Sequence, residues 1–249
     1  MDKVKKGTFV YFCFALIIII SGCYNGYYYD DSENHITISP LLNCGKPKET
    51  KILRMGAELS TKTSRKYDYY YGAYEPQVND VMKLFISKSI KYFSIDVGFF
   101  EDINEFGLGV HIPTEKLILS IKVNEALKNN ELFTSGSIAL TQENKDYSVF
   151  GAFKYGTFPQ YIRYLTYDTL YNEVEYVKNY KVNGYIFALG FDYPIFKNVG
   201  CKSDFEFISI PAAKSFRYYD YWYYYNGDYT ISNSPFSTIR IGIGIYVDM

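Results

Sequence analysis

The chain has 249 residues, a formal net charge of −1 and an aromatic content of 20%, with 29 tyrosines, one tryptophan and two histidines. The near-zero charge argues against a nucleic-acid partner, because a general nucleic-acid binder needs a basic surface. Abundant tyrosine, together with β-branched residues and glycine, favours strands over helices. The length fits one large β domain or two small ones.

The first 22 residues have the pattern of a secretory signal peptide. Three lysines among the first six residues precede an apolar run from Thr8 to Ile20. This run is too short for a confident membrane span. We therefore treat residues 1–22 as a leader that is removed, and not as part of the fold.

The end of this leader resembles the lipobox of bacterial lipoproteins. It has an aliphatic residue, two small residues and a cysteine: Ile20, Ser21, Gly22 and Cys23. In that family, the lipoprotein-processing machinery attaches a diacylglycerol to the cysteine sulfur and a fatty acid such as palmitate to its amine. Tyr24 follows in place of aspartate, which in some bacteria permits sorting to the outer membrane. An uncleaved anchor and a plain signal peptide are the alternatives.

Residues 23–51 are polar, punctuated by glycine and proline, and without sustained periodicity, so we expect a lipidated tether and an ordered lead-in. If Cys23 carries lipid, Cys44 and Cys201 remain as a possible disulfide in an oxidising compartment, or as two unpaired thiols. The cysteines and histidines lack metal-site spacing, and there is no nucleotide or phosphate-loop motif. We expect no metal and no cofactor.

Residues 52–249 form a succession of short segments in which apolar residues alternate with glycine, serine and single charges. The last segment is the clearest example: Ile239, Ile241, Ile243, Ile245, Val247 and Met249 alternate with Arg240, Gly242, Gly244, Tyr246 and Asp248. A period of two predicts an extended strand whose two faces meet different surroundings. Segments starting near residues 53, 93, 106, 116, 148, 185 and 204 show the same alternation, with Ile118 and Phe150 as exceptions.

Two stretches do not follow this alternation. Val78–Ile90 is compatible with an amphipathic helix or an extended strand, and we favour the strand. Arg217–Tyr229 is dominated by tyrosine and reads as a loop or hairpin. Its aromatic residues could form a ligand or partner surface, an interfacial belt or a rigid hairpin: Tyr218, Tyr219, Tyr221, Trp222, Tyr223, Tyr224 and Tyr225.

Three details favour a membrane barrel over a soluble sandwich. The face of each strand that lacks the apolar row is rich in glycine, alanine and serine. Tyr185 and Tyr193 bracket an apolar row on the opposite face, and the terminal strand lacks a polar end. A sheet in a bilayer must also close, because lipid cannot satisfy a free edge. We therefore predict an all-β fold, a closed antiparallel barrel of about 10–12 strands over residues 52–249.

The runs FSIDVGFFEDINEFGLGVHI, KLILSIKVN and IRIGIGIYVDM resemble strands of bacterial outer-membrane β-barrels. The last strand of that family typically ends on an aromatic residue, whereas this chain ends on Met249. The resemblance implies an outer-membrane location and, as partners, the outer-membrane lipid bilayer and the barrel-assembly machinery.

The functional expectation is a lipid-anchored outer-membrane barrel without enzymatic activity, with a structural, pore or surface-interaction role. The first alternative is a periplasmic or cell-surface lipoprotein with a soluble all-β domain that binds a ligand or partner. The second is a barrel lipid hydrolase in which His111 acts with Ser94 or Asp96 on a neighbouring strand. No nucleophile-elbow motif supports this second alternative.

Overall fold

The computed structural model describes residues 32–36, 53–68, 73–100, 103–115, 117–144, 146–167, 173–218 and 229–249. The regular elements in these ranges are strands: β1 (Ser32–Ile36), β2 (Leu53–Asp68), β3 (Ala73–Ile90), β4 (Phe93–Phe100), β5 (Ile103–Pro113), β6 (Leu117–Lys128), β7 (Glu131–Glu143), β8 (Ser148–Tyr167), β9 (Glu173–Pro194), β10 (Val199–Ile210), β11 (Lys214–Tyr218), β12 (Tyr229–Asn233) and β13 (Phe236–Asp248). None of these ranges contains a helix that is long and apolar enough to cross a membrane.

Ten of the strands form a closed antiparallel barrel. Strands β2 to β10 pair in chain order, and β13 closes the barrel by pairing with β10 on one side and with β2 on the other. In the closing ladders, Ile245 lies opposite Cys201 and Ala57. The predicted fold, including its even strand number, is therefore confirmed, and Val78–Ile90 belongs to a strand.

The strands are tilted relative to the barrel axis. Following the registers once around the barrel, from β2 back to β2, shifts the position by about 12 residues along the strand. For ten strands at normal sheet spacing, this shift corresponds to a tilt of about 40° and a radius of about 10 Å. An interior of this width can be filled by side chains.

The barrel is apolar outside and polar inside. Its outward-facing apolar residues, which we call the apolar belt, include Met82, Leu84, Ile86, Ile95, Leu108, Val110, Ile121, Val123, Ile138, Leu140, Val149, Phe187, Leu189, Phe205, Ile239, Ile241 and Ile245, all exposed. Ile239, Ile241 and Ile245 are 53%, 41% and 46% exposed. Ile243 has the same parity but is buried between Ser203 and Leu59 on the adjacent strands.

The two ends of the barrel differ. At one end, which we call the turn end, short connections join the strands, and Met249 exchanges backbone hydrogen bonds with Leu53. At the other, the arm end, the β2–β3 and β8–β9 hairpins continue to Asp68↔Ala73 and Tyr167↔Glu173, well beyond their other neighbours. We call these extensions the first and second arms. Between β10 and β13, β11 and β12 form a separate two-stranded sheet.

The short turn between β6 and β7 shows how local sequence directs the chain at the arm end. Asn129 and Asn130 have φ values of 50° and 62°. Two consecutive residues with positive φ are typical of a type I′ hairpin turn, and asparagine tolerates this region better than most residues. The KNNE sequence therefore permits a tight reversal here.

Strand β1 lies within the segment that the sequence predicts as tether and lead-in. Its residues pair with both arms: Glu33 and Asn34 lie opposite Lys66 and Arg65 of β2, and Ser32 to Ile36 lie opposite Tyr164 to Gln160 of β8. Each arm presents one strand edge there, because the β13–β2 ladder runs only to Ser60 and the β7–β8 ladder only to Gly156. The strand thus joins the two arms by backbone hydrogen bonds.

Candidate functional site: the barrel interior and the arm end

Charged side chains occupy the inside of the barrel. Among the described residues, six cationic and six anionic side chains are buried inside the barrel, and each residue is at most 5% exposed. We call them the interior charge network: Arg54, Lys83, Lys122, Lys154, Lys202, Arg240, Glu58, Asp96, Glu105, Asp192, Asp204 and Glu206. Since buried charges are tolerated only when they are paired, equal numbers of the two signs are what a water-poor interior requires.

At the turn end, the network centres on Arg54. Its Nε and Nη2 donate to the two carboxylate oxygens of Asp248 at 2.7 and 2.9 Å, and its Nη1 donates to Asp192 at 2.7 Å. The guanidinium group also lies 3.6 Å from the centre of the Tyr246 ring. These contacts connect β2, β9 and β13 across the closing seam.

In the middle of the barrel, Lys202 and Lys122 each hold acidic partners. Lys202 Nζ lies 3.0 Å from both Glu58 and Asp204. Lys122 Nζ donates to Asp96 at 2.7 Å, and Ser87 donates to the other oxygen of Asp96.

Towards the arm end, Glu105 lies between two lysines. Lys154 Nζ donates to it at 2.9 Å, and Lys83 Nζ lies 3.6 Å from its other oxygen. Arg240 donates to Glu206 through Nε at 2.7 Å and also through Nη2. The network therefore continues over most of the barrel height.

The remaining part of the interior is apolar. A buried cluster runs along the inner faces of β7 to β10 and includes Phe150, Phe158, Val182, Ile186, Ile208 and Ile210. The ring of Phe150 lies against Gly190, where an added Cβ would come within 2.0 Å of it. Phe150 and Ile118, which break the alternation in the sequence, both point inward. Charged and apolar side chains together occupy much of the interior of the described barrel.

His111 lies inside the barrel near the turn end and is 2% exposed. Its Nδ1 is hydrogen-bonded to Ser120 Oγ at 2.7 Å. Of the two residues expected to act with it, Ser94 is buried on the adjacent strand opposite Gly109, and Asp96 is bound to Lys122 and Ser87. His111 is therefore enclosed by the barrel wall, and its Nδ1 is held by Ser120.

The tyrosine-rich stretch lies only partly within the described residues. Tyr218 ends β11 and pairs with Tyr229 of β12, so the flanks of the stretch form a hairpin. The other aromatic candidates lie outside the described residues: Tyr219, Tyr221, Trp222, Tyr223, Tyr224 and Tyr225. Lys214, at the start of β11, is hydrogen-bonded through its backbone N–H and C=O to Gln160 of the second arm.

Of the three cysteines named in the sequence analysis, one lies within the described residues. Cys201 is buried on β10, whereas Cys23 and Cys44 lie outside the described residues. Lipidation of Cys23 and a bridge between Cys44 and Cys201 therefore stay predictions. Within the described ranges, no group of three or more histidine, cysteine or acidic residues could hold a metal ion.

The sequence pattern did not reveal the partners within the interior charge network. Single charges on the strand face opposite the apolar row were a visible signal for buried polar residues. Their pairing was not visible, because partners such as Arg54 and Asp192 meet only through the barrel register. Strand β1 had no periodic signal in the sequence.

No protein-family model and no curated protein matches the chain. Among solved structures, Neisserial surface protein A has a TM-score of 0.38 at 9% identity and covers 81% of this chain and 98% of its own. The NanC porin gives 0.40 at 10%, covering 80% and 100%. The outer membrane protease OmpT from Escherichia coli gives 0.36 at 13%, covering 90% and 97%. These values are too low to transfer a function or a residue role.

Proposed function

We propose that this chain is a lipid-anchored barrel of the bacterial outer membrane that presents its arm end for surface interactions and has no enzymatic activity. The observation that carries this proposal is the inverted arrangement of the barrel, with exposed apolar side chains outside and paired charges inside. A soluble sandwich would bury the apolar row and expose the charges.

The apolar belt has the dimensions that a membrane requires. Tyr185 and Tyr193 lie eight residues apart on β9 and face outward, which at the barrel's tilt separates them by about 20 Å along the axis. Aromatic residues bracket an apolar band of about 25 Å in outer-membrane barrels. The closed ladder leaves no free strand edge in the lipid.

The side chains that occupy the interior favour a surface-interaction role over a pore. Ion pairs at the turn end and in the middle, and apolar side chains along β7 to β10, occupy the space that a channel would need. The extramembrane arms, and the aromatic residues of the stretch Tyr218 to Tyr225 that follows β11 in the sequence, would supply the interaction surface.

Two measurements test the barrel and the absence of a pore. We expect the full-length protein to resist extraction from membranes by urea and to migrate differently on gels before and after heating. In planar lipid bilayers, we expect no conductance steps above the lipid background. Urea extraction without heat-modifiable migration would instead favour the soluble alternative, and regular conductance steps would favour a pore.

The lipid anchor is a separate part of the proposal. It is supported by the lipobox-like run that ends at Cys23. We expect labelled palmitate to be incorporated into the wild-type protein and to be lost in Cys23→Ser, whereas Cys13→Ser should keep it. Equal labelling of the wild type and Cys23→Ser would contradict lipidation at this residue.

A further inference from the structure

The position of strand β1 determines the end of the barrel at which the preceding segment joins the described part of the chain. Ser32 pairs with Tyr164 of the second arm, and Glu33 pairs with Lys66 of the first arm. Both partners lie beyond the belt at the arm end, whereas Leu53 and Met249 lie together at the turn end. The segment before Ser32 thus starts from the side opposite to the C-terminus.

The distance from β1 to the turn end follows from the registers. Tyr164 lies sixteen residues beyond Ser148, which begins β8 at the turn end. Lys66 lies thirteen residues beyond Leu53 on β2. At about 3.3 Å per residue and a tilt of about 40°, β1 lies about 33–40 Å above the turn-end edge of the belt.

The chain between Cys23 and Ser32 is too short for this distance. Nine residue steps span at most about 30–32 Å, even when fully extended. The arm-side edge of the belt is closer, because Tyr155 lies only nine residues below Tyr164 on β8, which is about 23 Å along the axis. A lipid on Cys23 can therefore reach the leaflet at the arm end, but not the leaflet at the turn end.

We infer that the lipid on Cys23 inserts into the membrane leaflet on the arm side, which makes the N-terminus and its anchor surface-exposed. This inference rests on the proposed membrane function. Short connections at the turn end and long extensions at the arm end correspond to the periplasmic and outer sides of outer-membrane barrels. The acyl chains and the barrel would then enter the same bilayer, with the lipid in its outer leaflet.

The topology can be tested with three full-length variants, each carrying one short epitope. The first epitope follows Asn25, the second lies in the first arm after Tyr70, and the third follows Met249 at the turn end. Heat-modifiable migration of each variant confirms folding. If the arm epitope prevents folding, an epitope after Thr169 in the second arm replaces it.

We expect antibodies to bind the first and second epitopes on intact cells at least about tenfold more than the third, which should require permeabilised membranes. An N-terminal epitope that behaves like the one after Met249 would overturn the inference. An arm epitope that is inaccessible on intact cells would overturn the assignment to the outer leaflet. Absence of palmitate labelling in the wild type would contradict the lipid anchor and its insertion into the arm-side leaflet, whereas the epitopes would still report on which side the N-terminus lies.

Discussion

Arg54 and Asp248 join the first and last strands of the barrel by two parallel hydrogen bonds of 2.7 and 2.9 Å. The remaining nitrogen of Arg54 donates to Asp192, so one guanidinium group holds two carboxylates. Because the seam between β2 and β13 closes the barrel, this contact stabilises the closed state itself.

We expect Arg54→Ala to lower the free energy of unfolding by about 3–5 kcal/mol, because it leaves Asp192 buried without its cation. Arg54→Lys should recover only part of the loss, since lysine cannot bind Asp248 through two parallel bonds. The temperature at which the folded form disappears on gels, compared between the variants and the wild type, measures the effect. Lys197→Ala, which removes an exposed charge at the same end, should change little.

The apolar belt makes a prediction at Leu189, which is 67% exposed and lies midway between Tyr185 and Tyr193 on β9. In a bilayer, we expect Leu189→Lys to destabilise the barrel by about 2–4 kcal/mol, because it places a charge near the membrane midplane. Asn183→Lys lies on the same face of β9, two residues beyond Tyr185 on the arm side, and should cost at most about 1 kcal/mol. Urea titration in lipid vesicles measures both variants. If both variants lose the same small amount of stability, the outer face of the barrel is in contact with water and not with lipid.

The packing of Phe150 on Gly190 makes a prediction about the apolar part of the interior. Gly190→Ala would place a methyl group within 2.0 Å of the ring. We expect a loss of about 1–3 kcal/mol, as for other overpacked cores. The control is Gly136→Ala, where the nearest atom to a new Cβ is 3.8 Å away and where the effect should be within about 0.5 kcal/mol. Similar losses for the two variants would contradict the packing described.

The Glu105 cluster tests whether the interior charges act as a set. Glu105→Ala leaves the buried Lys83 and Lys154 close together without their shared anion, and should cost about 3–5 kcal/mol. Replacing all three by apolar residues of similar size, as Lys83→Met, Glu105→Leu and Lys154→Met, should cost much less. Chemical denaturation of the purified protein compares the two. A triple variant that is far less stable than the single one would show that the charges themselves stabilise the fold.

Strand β1 should protect the two arms from proteolysis. Asn34→Pro removes a backbone donor from a strand that pairs on both edges. We expect cleavage within the arms to become several-fold faster, while the barrel remains folded on gels. Asn34→Ala keeps the backbone donor and should leave the cleavage rate unchanged. Faster cleavage in both variants would mean that the side chain, and not the backbone pairing, holds the arms.

The alternation in the sequence predicted the faces of the strands well, because a period of two is a local property of the chain. The inward positions of Arg240 and Tyr246 and the outward positions of Ile239 and Ile241 follow from parity alone. Even the exception at Phe150 was informative, since it marked the apolar part of the interior.

The pairings could not be predicted in the same way. Arg54 and Asp192 are 138 positions apart, and they meet only because the shift around the barrel brings β2 and β9 to the same level. Strand β1 is specified by backbone hydrogen bonds to two separate arms, and such bonds leave no periodic pattern in the segment itself.

The balanced charges inside the barrel also constrain how this protein can evolve. An outward-facing leucine can be exchanged for isoleucine, valine or phenylalanine at small cost, so the outer surface is free to drift. Glu105 cannot be lost alone without leaving Lys83 and Lys154 without their shared anion, and its replacement calls for a compensating change on another strand. Among diverged homologues, we therefore expect covariation to concentrate at the inward-facing positions.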